Sequence, residues 1–141
     1  MWHANEKEAQ CVCHDIDSLK QQVNDICWAP KTSSAFASVA NDGRIEIWDL
    51  FEDNLKPMKM WFDKNSSGEE LHIPKTVVRF NDSISPVLFT GNSKGQIGVY
   101  RSYGLEHVQV SEEDQRKRLL KAIKKDTIVE TKDAKKTESE E

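Results

Sequence analysis

Soft metal ligands stand close together near the start of the chain, at Cys11, Cys13 and His14. Thiolate and imidazole groups are ligands that suit zinc. Residues two apart on a strand share a face, however, so Cys11 and Cys13 would point away from His14. No second pair of Cys or His residues follows at zinc-site spacing. The interpretation that we favour is reduced thiols, Cys27 included, and a small metal or redox protein is the alternative.

Carboxylates and a histidine form two further groups, Asp15 with Asp17 and Glu69 with Glu70 and His72. Such side chains can act as general acids and bases when they accompany a nucleophile or a phosphate-binding loop. The sequence supplies neither beside these groups, and carboxylates in polar loops are usually solvated. We therefore predict no enzymatic activity, no catalytic residue, no bound metal and no cofactor.

Composition narrows the class of protein. The chain has 141 residues, of which 37% are hydrophobic and 31% are charged, as in soluble globular protein with a strongly polar segment. Its apolar runs are only a few residues long, against the ~20 that a membrane helix needs. The first residues also lack the basic and then apolar plan of a signal peptide. The sequence predicts an intracellular protein with no membrane partner.

The charge distribution argues against a nucleic-acid partner. Lys and Arg total 20 against 24 Asp and Glu, which gives a net charge of -4. Residues 111–141 hold 9 basic and 9 acidic side chains, so this charged end is balanced. A basic arm that neutralises phosphates would need an excess of positive charge.

An internal repeat organises the chain. Residues 23–49 match residues 75–101 at a constant offset of 52. The matched pairs are Ile26 with Val78, Trp28 with Phe80, Gly43 with Gly95, Ile45 with Ile97, Ile47 with Val99, and Trp48 with Tyr100. A repeat of this length is typical of proteins built from similar structural units.

Each copy has the pattern of an antiparallel meander. The first copy predicts strands at 25–29, 35–40 and 44–49, and a fourth follows at 57–62. Asp42 and Gly43 form the tight turn before the third strand, because Gly supplies the positive backbone angle that such hairpins need. Four short strands per unit indicate a β-propeller blade. The repeat exceeds the usual ~40 to 45 residues, and a polar loop at 63–74 accounts for the excess.

The predicted fold is all-β: a partial propeller of about two blades of four-stranded antiparallel sheet, with a C-terminal helix and a disordered tail. The helix follows from acidic residues at 112–114 and basic residues near its end. The tail has almost nothing to bury. The predicted boundaries are 1–22 for the end of a preceding blade, 23–74 for a complete blade, 75–110 for the last blade, 111–125 for the helix and 126–141 for the charged tail.

The segment Ile45-Glu46-Ile47-Trp48-Asp49, after its Asn41-Asp42-Gly43 turn, resembles the WD-repeat family. The stretch VNDICWAPKTSSAFASVANDGRIEIWDL, with the blade ending FTGNSKGQIGVYR, is similar more narrowly to the end of the propeller of dynein intermediate chains, above all the axonemal ones. The family's structural signature would fall on Trp28, Asp42, Gly43, Ile45, Ile47, Trp48 and Asp49, and on Phe80, Gly95, Ile97, Val99 and Tyr100.

The second copy departs from the WD-repeat pattern. Lys94 stands where the family has a turn Asp, Tyr100 where it has Trp, and Arg101 where it has Asp. In the family the turn Asp joins a hydrogen-bond network with a His and the strand Trp. We therefore expect the second copy to lack that network.

The resemblance implies a noncatalytic scaffold subunit of an axonemal dynein motor complex. Its propeller blades would bind the tail of the dynein heavy chain, alongside other intermediate or light chains, for motor assembly and ciliary movement. The implied location is the cytoplasm and cytoskeleton, at the axoneme of a cilium or flagellum. The alternative is a WD-repeat adaptor of another intracellular complex.

Four apolar residues are candidates for contact with a partner: Trp61, Leu119, Leu120 and Ile123. Trp61 would lie on a peripheral strand, where it would contact either a partner or the loop between the blades. The other three form a narrow apolar stripe on the predicted helix, which would pack on the flank of the propeller or on a neighbouring subunit.

The length of the chain bears on its completeness. A propeller closes with about four to eight blades, whereas this chain supplies about two to two and a half. Closure would need the missing blades, so we expect the chain to be a fragment, a truncated product or a partial gene model. Expressed alone, it should expose apolar blade surface and associate or aggregate.

Overall fold

A computed structural model describes residues 21–30, 32–81, 87–101 and 111–122 of the chain. The strands are β1 (Val23–Trp28), β2 (Ala35–Ala40), β3 (Ile45–Asp49), β4 (Lys59–Trp61), β5 (Asp63–Lys64), β6 (Glu70–Leu71), β7 (Lys75–Phe80), β8 (Val87–Asn92) and β9 (Ile97–Arg101). Helix α1 spans 112–122. Within the described part of the chain, no helix has the length and apolar character needed to cross a bilayer.

The strands form antiparallel sheets in the order β1-β2-β3-β4, β5-β6 and β7-β8-β9. We refer to the first of these as the first blade and to the last as the second blade. Both are open sheets in meander order, which confirms the prediction of an all-β fold of the partial-propeller type with a helix after the strands. The second blade has three strands among the described residues. Residues 102–110 and the predicted tail at 126–141 lie outside them.

The sequence repeat is also a structural repeat. The bounds of β1, β2 and β3 coincide with those of β7, β8 and β9 after a shift of 52 residues. The irregularities coincide as well: the β1–β2 pairing shifts register between Val23 and Asp25, and the β7–β8 pairing between Lys75 and Val77. The same pattern of apolar residues and turns therefore produces the same three-stranded unit twice.

The turn before the third strand of each unit contains a glycine with positive φ, 94° at Gly43 and 77° at Gly95. In the first turn the Asp42 carboxylate accepts a hydrogen bond from the Arg44 backbone N–H at 3.2 Å. The second turn has no Asp, and Asn92 performs this task instead. Its Oδ1 accepts from the backbone N–H groups of Lys94 and Gln96, each at 3.0 Å.

The structure differs from the prediction between the blades. Residues 63–74, predicted as a loop, contain the hairpin β5–β6. The side chain of Asn65 forms its turn, because Oδ1 accepts hydrogen bonds from the backbone N–H groups of Ser67 and Glu69, both at 2.9 Å. Gly68 completes the turn with a φ of 84°. The hairpin was not predicted because the segment is polar and its strands, only two residues long, show no alternation of apolar residues.

Replacing Gly43 by Ala should destabilise the fold more than replacing Gly95 by Ala. Both changes force a Cβ into positive φ, at a cost of about 1 to 2 kcal/mol. At Gly43 the new Cβ would also lie 2.8 Å from the backbone N and O of Ile73, whereas at Gly95 it meets no atom within 4 Å. Chemical denaturation of both variants measures the difference. Equal losses in the free energy of unfolding would contradict the close approach of residue 73.

Candidate functional site

The two blades pack face to face, and we call this contact the blade junction. Its buried core consists of Ala37, Val39 and Ile45 from the first blade and Val78 and Leu88 from the second. At the edge of this core the rings of Trp61 and Tyr100 meet edge to face, with centroids 5.5 Å apart. The apolar residues of one sheet therefore cover those of the next, as the predicted propeller arrangement requires.

Polar groups cross the blade junction at the irregular end of β1. The Asn24 side-chain amide donates to the Lys75 carbonyl at 2.6 Å. The Asp25 carboxylate accepts from the Val78 backbone N–H at 3.0 Å and forms an ion pair with Arg79. A bulge turns side chains out of the regular pleat, and here it directs two consecutive ones at the neighbouring sheet. We call these contacts the polar clamp.

The polar clamp changes the acidity of Asp25. Burial raises the pKa of this carboxyl, but hydrogen bonds from the Val78 backbone and the Arg79 guanidinium, together with the Arg79 charge, more than offset it, so its pKa lies below the usual value. The charged form is thus favoured by folding. Asp25 contributes stability at pH values above its pKa in the unfolded chain, and this contribution is lost as the pH falls through its folded pKa.

A second carboxylate, Asp63, ties the connection between the blades to the second blade. One of its oxygens accepts from the Lys75 ammonium and the other from the Tyr100 hydroxyl. Lys75 is only 1% exposed. A buried ammonium group is tolerated when it is paired, and Asp63 provides that pairing. Tyr100 stands where the WD-repeat pattern has Trp, and its hydroxyl makes a hydrogen bond to Asp63 that a Trp side chain could not make in the same way.

Trp48, a predicted signature residue, is buried on the other face of the first blade. Its ring stacks on Phe36 at 6.1 Å, and its indole N–H donates to Glu46 at 3.2 Å. The same Glu46 oxygen accepts from the Ser38 hydroxyl at 2.9 Å. Here Glu46 accepts the indole hydrogen bond, while Asp42 contacts Arg44 within the turn.

The remaining signature residues occupy different surroundings. Ile47 is buried in β3, and Asp49 ends this strand by accepting a hydrogen bond from the Phe51 N–H at 3.0 Å. Phe80 packs against the core of the junction. Three others are exposed: Trp28, Ile97 and Val99.

Helix α1 lies on the flank of the first blade. The Ser33 backbone N–H donates to the Gln115 side chain, and the Ser33 hydroxyl donates to the Gln115 carbonyl, both at 2.8 Å. Ala122 packs on Leu50 and Phe36 in a small buried cluster. Arg118 and Lys121 lie over the Phe51 ring, 5.0 and 5.2 Å from its centroid. Together these contacts place the end of the described chain against its beginning.

The four residues predicted to contact a partner differ in how exposed they are. Trp61 is half-buried at the blade junction, so much of its surface is used within the chain. On α1, Leu119 is half-buried and Leu120 is exposed. Ile123 lies outside the described residues. Leu120 is therefore the most accessible of the three that the structure describes.

The candidate chemical groups are not brought together in the described residues, which contain no cluster of three or more potential metal ligands. Cys11, Cys13, His14, Asp15 and Asp17 lie outside this part of the chain. Glu69 accepts a hydrogen bond from the Asn65 side chain, and His72 packs edge to face on Phe62 with centroids 4.5 Å apart. These two side chains have contacts typical of structural residues.

Comparison with known proteins identifies what this arrangement is similar to. Human dynein axonemal intermediate chain 4 is 36% identical over 78 residues, which cover 55% of this chain and 8% of the human protein. The chain resembles axonemal dynein intermediate chains. The resemblance predicted from the repeat and its turns is thereby confirmed. No family model matches the chain.

Two further relatives extend the likeness to dynein intermediate chains. The 78 kDa intermediate chain of the flagellar outer arm of Chlamydomonas reinhardtii is 26% identical over 132 residues, covering 89% of this chain and 18% of that protein. Ciliary dynein intermediate chain 2 of Heliocidaris crassispina is 24% identical over 97 residues, covering 69% of this chain and 13% of that protein. The chain thus spans less than a fifth of the length of these dynein intermediate chains.

The change Asp25→Asn should destabilise the blade junction in a pH-dependent way. Near neutral pH the variant loses the ion pair with Arg79 and should unfold more easily than the wild type. The difference should shrink in acid, because the wild-type carboxylate then takes up a proton. Urea denaturation of both proteins over a pH series measures this difference. A gap in unfolding free energy that stays constant into acid would contradict the lowered pKa.

The change Ala122→Asp should detach α1 from the first blade, since it places an unpaired carboxylate against Leu50. Amide hydrogen exchange within α1 should accelerate by about ten-fold or more, while β2 keeps its protection. Leu120→Asp is the matched control, because residue 120 is exposed on the same helix. Equal acceleration in both variants would show that helix propensity, and not docking, governs the exchange.

Proposed function

We propose that this chain is part of a noncatalytic scaffold subunit of an axonemal dynein motor complex. Its propeller blades would bind the heavy-chain tail and so support motor assembly and ciliary movement. The observation that carries the proposal is the likeness to dynein intermediate chains across both blades, with 89% of the chain aligned to the Chlamydomonas relative. The relatives are named as axonemal, flagellar and ciliary proteins, which supports the axoneme as the location.

The structure supports a scaffold role through its rigidity. The apolar core and the polar clamp cross from one blade to the other, and Asp63 ties the connection between the blades to the second blade. A hinge would instead concentrate its contacts at a few element ends. Two blades fixed in this way present one continuous surface to a partner.

The use of the carboxylates favours a noncatalytic role. Asp25 joins the blades, Asp63 ties their connection to the second blade, and Asp42 and Asp49 hold turns. Glu46 accepts the Trp48 and Ser38 hydrogen bonds. Each of these acids is engaged in a structural contact, and we assign any nucleotide chemistry of the complex to its other subunits.

The exposed side of α1 is our candidate for contact with the heavy chain or a neighbouring intermediate or light chain. Docking on the first blade fixes the direction of this helix, so Leu120 projects from a supported surface. An apolar side chain held on a rigid helix contributes to binding without a large loss of conformational entropy.

Affinity purification of the whole gene product from ciliated cells tests the proposal. We expect the tagged wild-type protein to recover dynein heavy chain, and Leu120→Asp to reduce that recovery several-fold. Arg116→Gln is the matched control, because residue 116 is exposed on the same helix and the change keeps it polar.

Two results would count against this function. Absence of heavy chain from the wild-type sample would reject the dynein assignment and favour an adaptor of another complex. Recovery of heavy chain with both variants at the wild-type level would keep the assignment and reject α1 as the contact.

A further inference from the structure

Helix α1 occupies a site at one end of the first blade. We call this surface the α1 site and define it by the residues that contact the helix: Ser33, Phe36, Leu50 and Phe51. Ser33 lies in the connection from β1 to β2, and Leu50 and Phe51 lie in the connection from β3 to β4. These two connections are at the same end of an antiparallel meander, because the chain reverses direction at each strand. The α1 site is therefore formed mainly by loops, whereas the blade junction is formed by a sheet face.

The α1 site contacts one face of the helix at three positions. The residues that meet it are spaced three and four apart: Gln115, Arg118 and Ala122. Positions at this spacing lie on one face of a helix. Ser33 binds the amide and backbone carbonyl, the Phe51 ring binds the cation, and Leu50 packs on the apolar residue. Any helix that presents these three groups at this spacing can meet the same partners.

The helix fits this site incompletely. A cavity of about 230 Å³ remains beside its first turn, lined by Trp28, Ala29, Pro30, Thr32, Ser33 and Gln115. Side chains next to a cavity lose the dispersion contacts that a filled site would provide. At the other end of α1 the buried side chain is the methyl group of Ala122, which has little apolar surface to bury.

The helix can leave the site without disturbing the sheets. It takes part in no strand pairing of the described residues, so its release keeps all of those pairings in place. Its binding to the first blade is intramolecular, and attachment through the chain gives it a high local concentration at the site. This attachment compensates for the incomplete fit.

We propose that the α1 site is a binding site for a helix of another protein, and that α1 is the occupant that this helix displaces. The partner helix is amphipathic and cationic: it brings a hydrogen-bond acceptor to Ser33, a cation to the Phe51 ring and an apolar side chain to Leu50. The proposal does not depend on the dynein assignment. Displacement also removes the support beneath Leu120, so a copy that binds a helix in the α1 site no longer presents the exposed side of α1.

A fluorescent peptide of residues 111–125 serves as the incoming helix, and its anisotropy is measured with the whole 141-residue chain. The wild-type chain should bind it weakly, because its own α1 occupies the site at high local concentration. The Ala122→Asp chain has released its own helix and should bind the peptide about ten-fold or more tightly. Leu120→Asp is the matched control, since it adds the same charge to the exposed side of α1 and should bind as weakly as the wild type.

A second released chain guards against misfolding of the first. Arg118→Glu combined with Lys121→Glu replaces both cations over the Phe51 ring by anions and buries no new charge against Leu50. This chain should also bind the unaltered peptide about ten-fold more tightly than the wild type does. Adding Phe51→Ala to it should weaken that binding several-fold, because the peptide cations then lose their ring.

The peptide itself can be altered to test which face it uses. An Ala122→Asp peptide should not bind either released chain, whereas a Leu120→Ala peptide should bind like the original. Absence of peptide binding by both released chains would overturn the proposal. So would equally tight binding by the wild type and the released chains, or binding that Phe51→Ala leaves unchanged, because the peptide would then occupy another surface.

Discussion

A β-sheet has two faces, and an apolar face has to be covered by another element. In this chain the blade junction meets that requirement once, with the core around Ile45 and Val78. The rest of the arrangement depends on this contact. It brings the bulged end of β1 within hydrogen-bond distance of β7, and it allows Asp63 to pair with the buried Lys75. Burial of apolar side chains therefore drives the two blades together, and the polar contacts fix how the blades are aligned.

The two blades reach the same geometry with different side chains. Asp42 holds one turn and Asn92 the other, from different positions relative to the glycine. Trp48 donates its indole N–H to Glu46, whereas Tyr100 uses a hydroxyl to reach Asp63. At two of the departures from the WD-repeat pattern, Lys94 and Tyr100, another polar group thus supplies the hydrogen bond. A blade requires hydrogen-bond partners for the backbone of its turn and for the polar group of the aromatic residue in its third strand, and several residue types can supply them.

The strands were predictable because their signals are local. Alternation of apolar residues and a glycine turn fixed β2, β3 and their repeats to within a residue or two. The contacts between elements were not predictable in this way. Asn24 meets a residue 51 positions away, and Ser33 meets Gln115 at a separation of 82. Periodicity identifies which face of a strand is apolar, but it carries no information about which distant residue will lie opposite. The hairpin β5–β6 escaped prediction for another reason, since two-residue strands have no periodicity to detect.

The position of α1 has a mechanical consequence. The helix follows the second blade in sequence, yet its contacts are with Ser33, Leu50 and Phe51 of the first. Tension applied to the chain beyond α1 is therefore borne first by these contacts and enters the first blade. Only after the helix has come away can the same tension reach β9 and peel it from its neighbour, which is the direction in which a sheet is weakest. This order of failure is reversible at its first step, because the contacts of α1 that break first can re-form without any strand having unfolded.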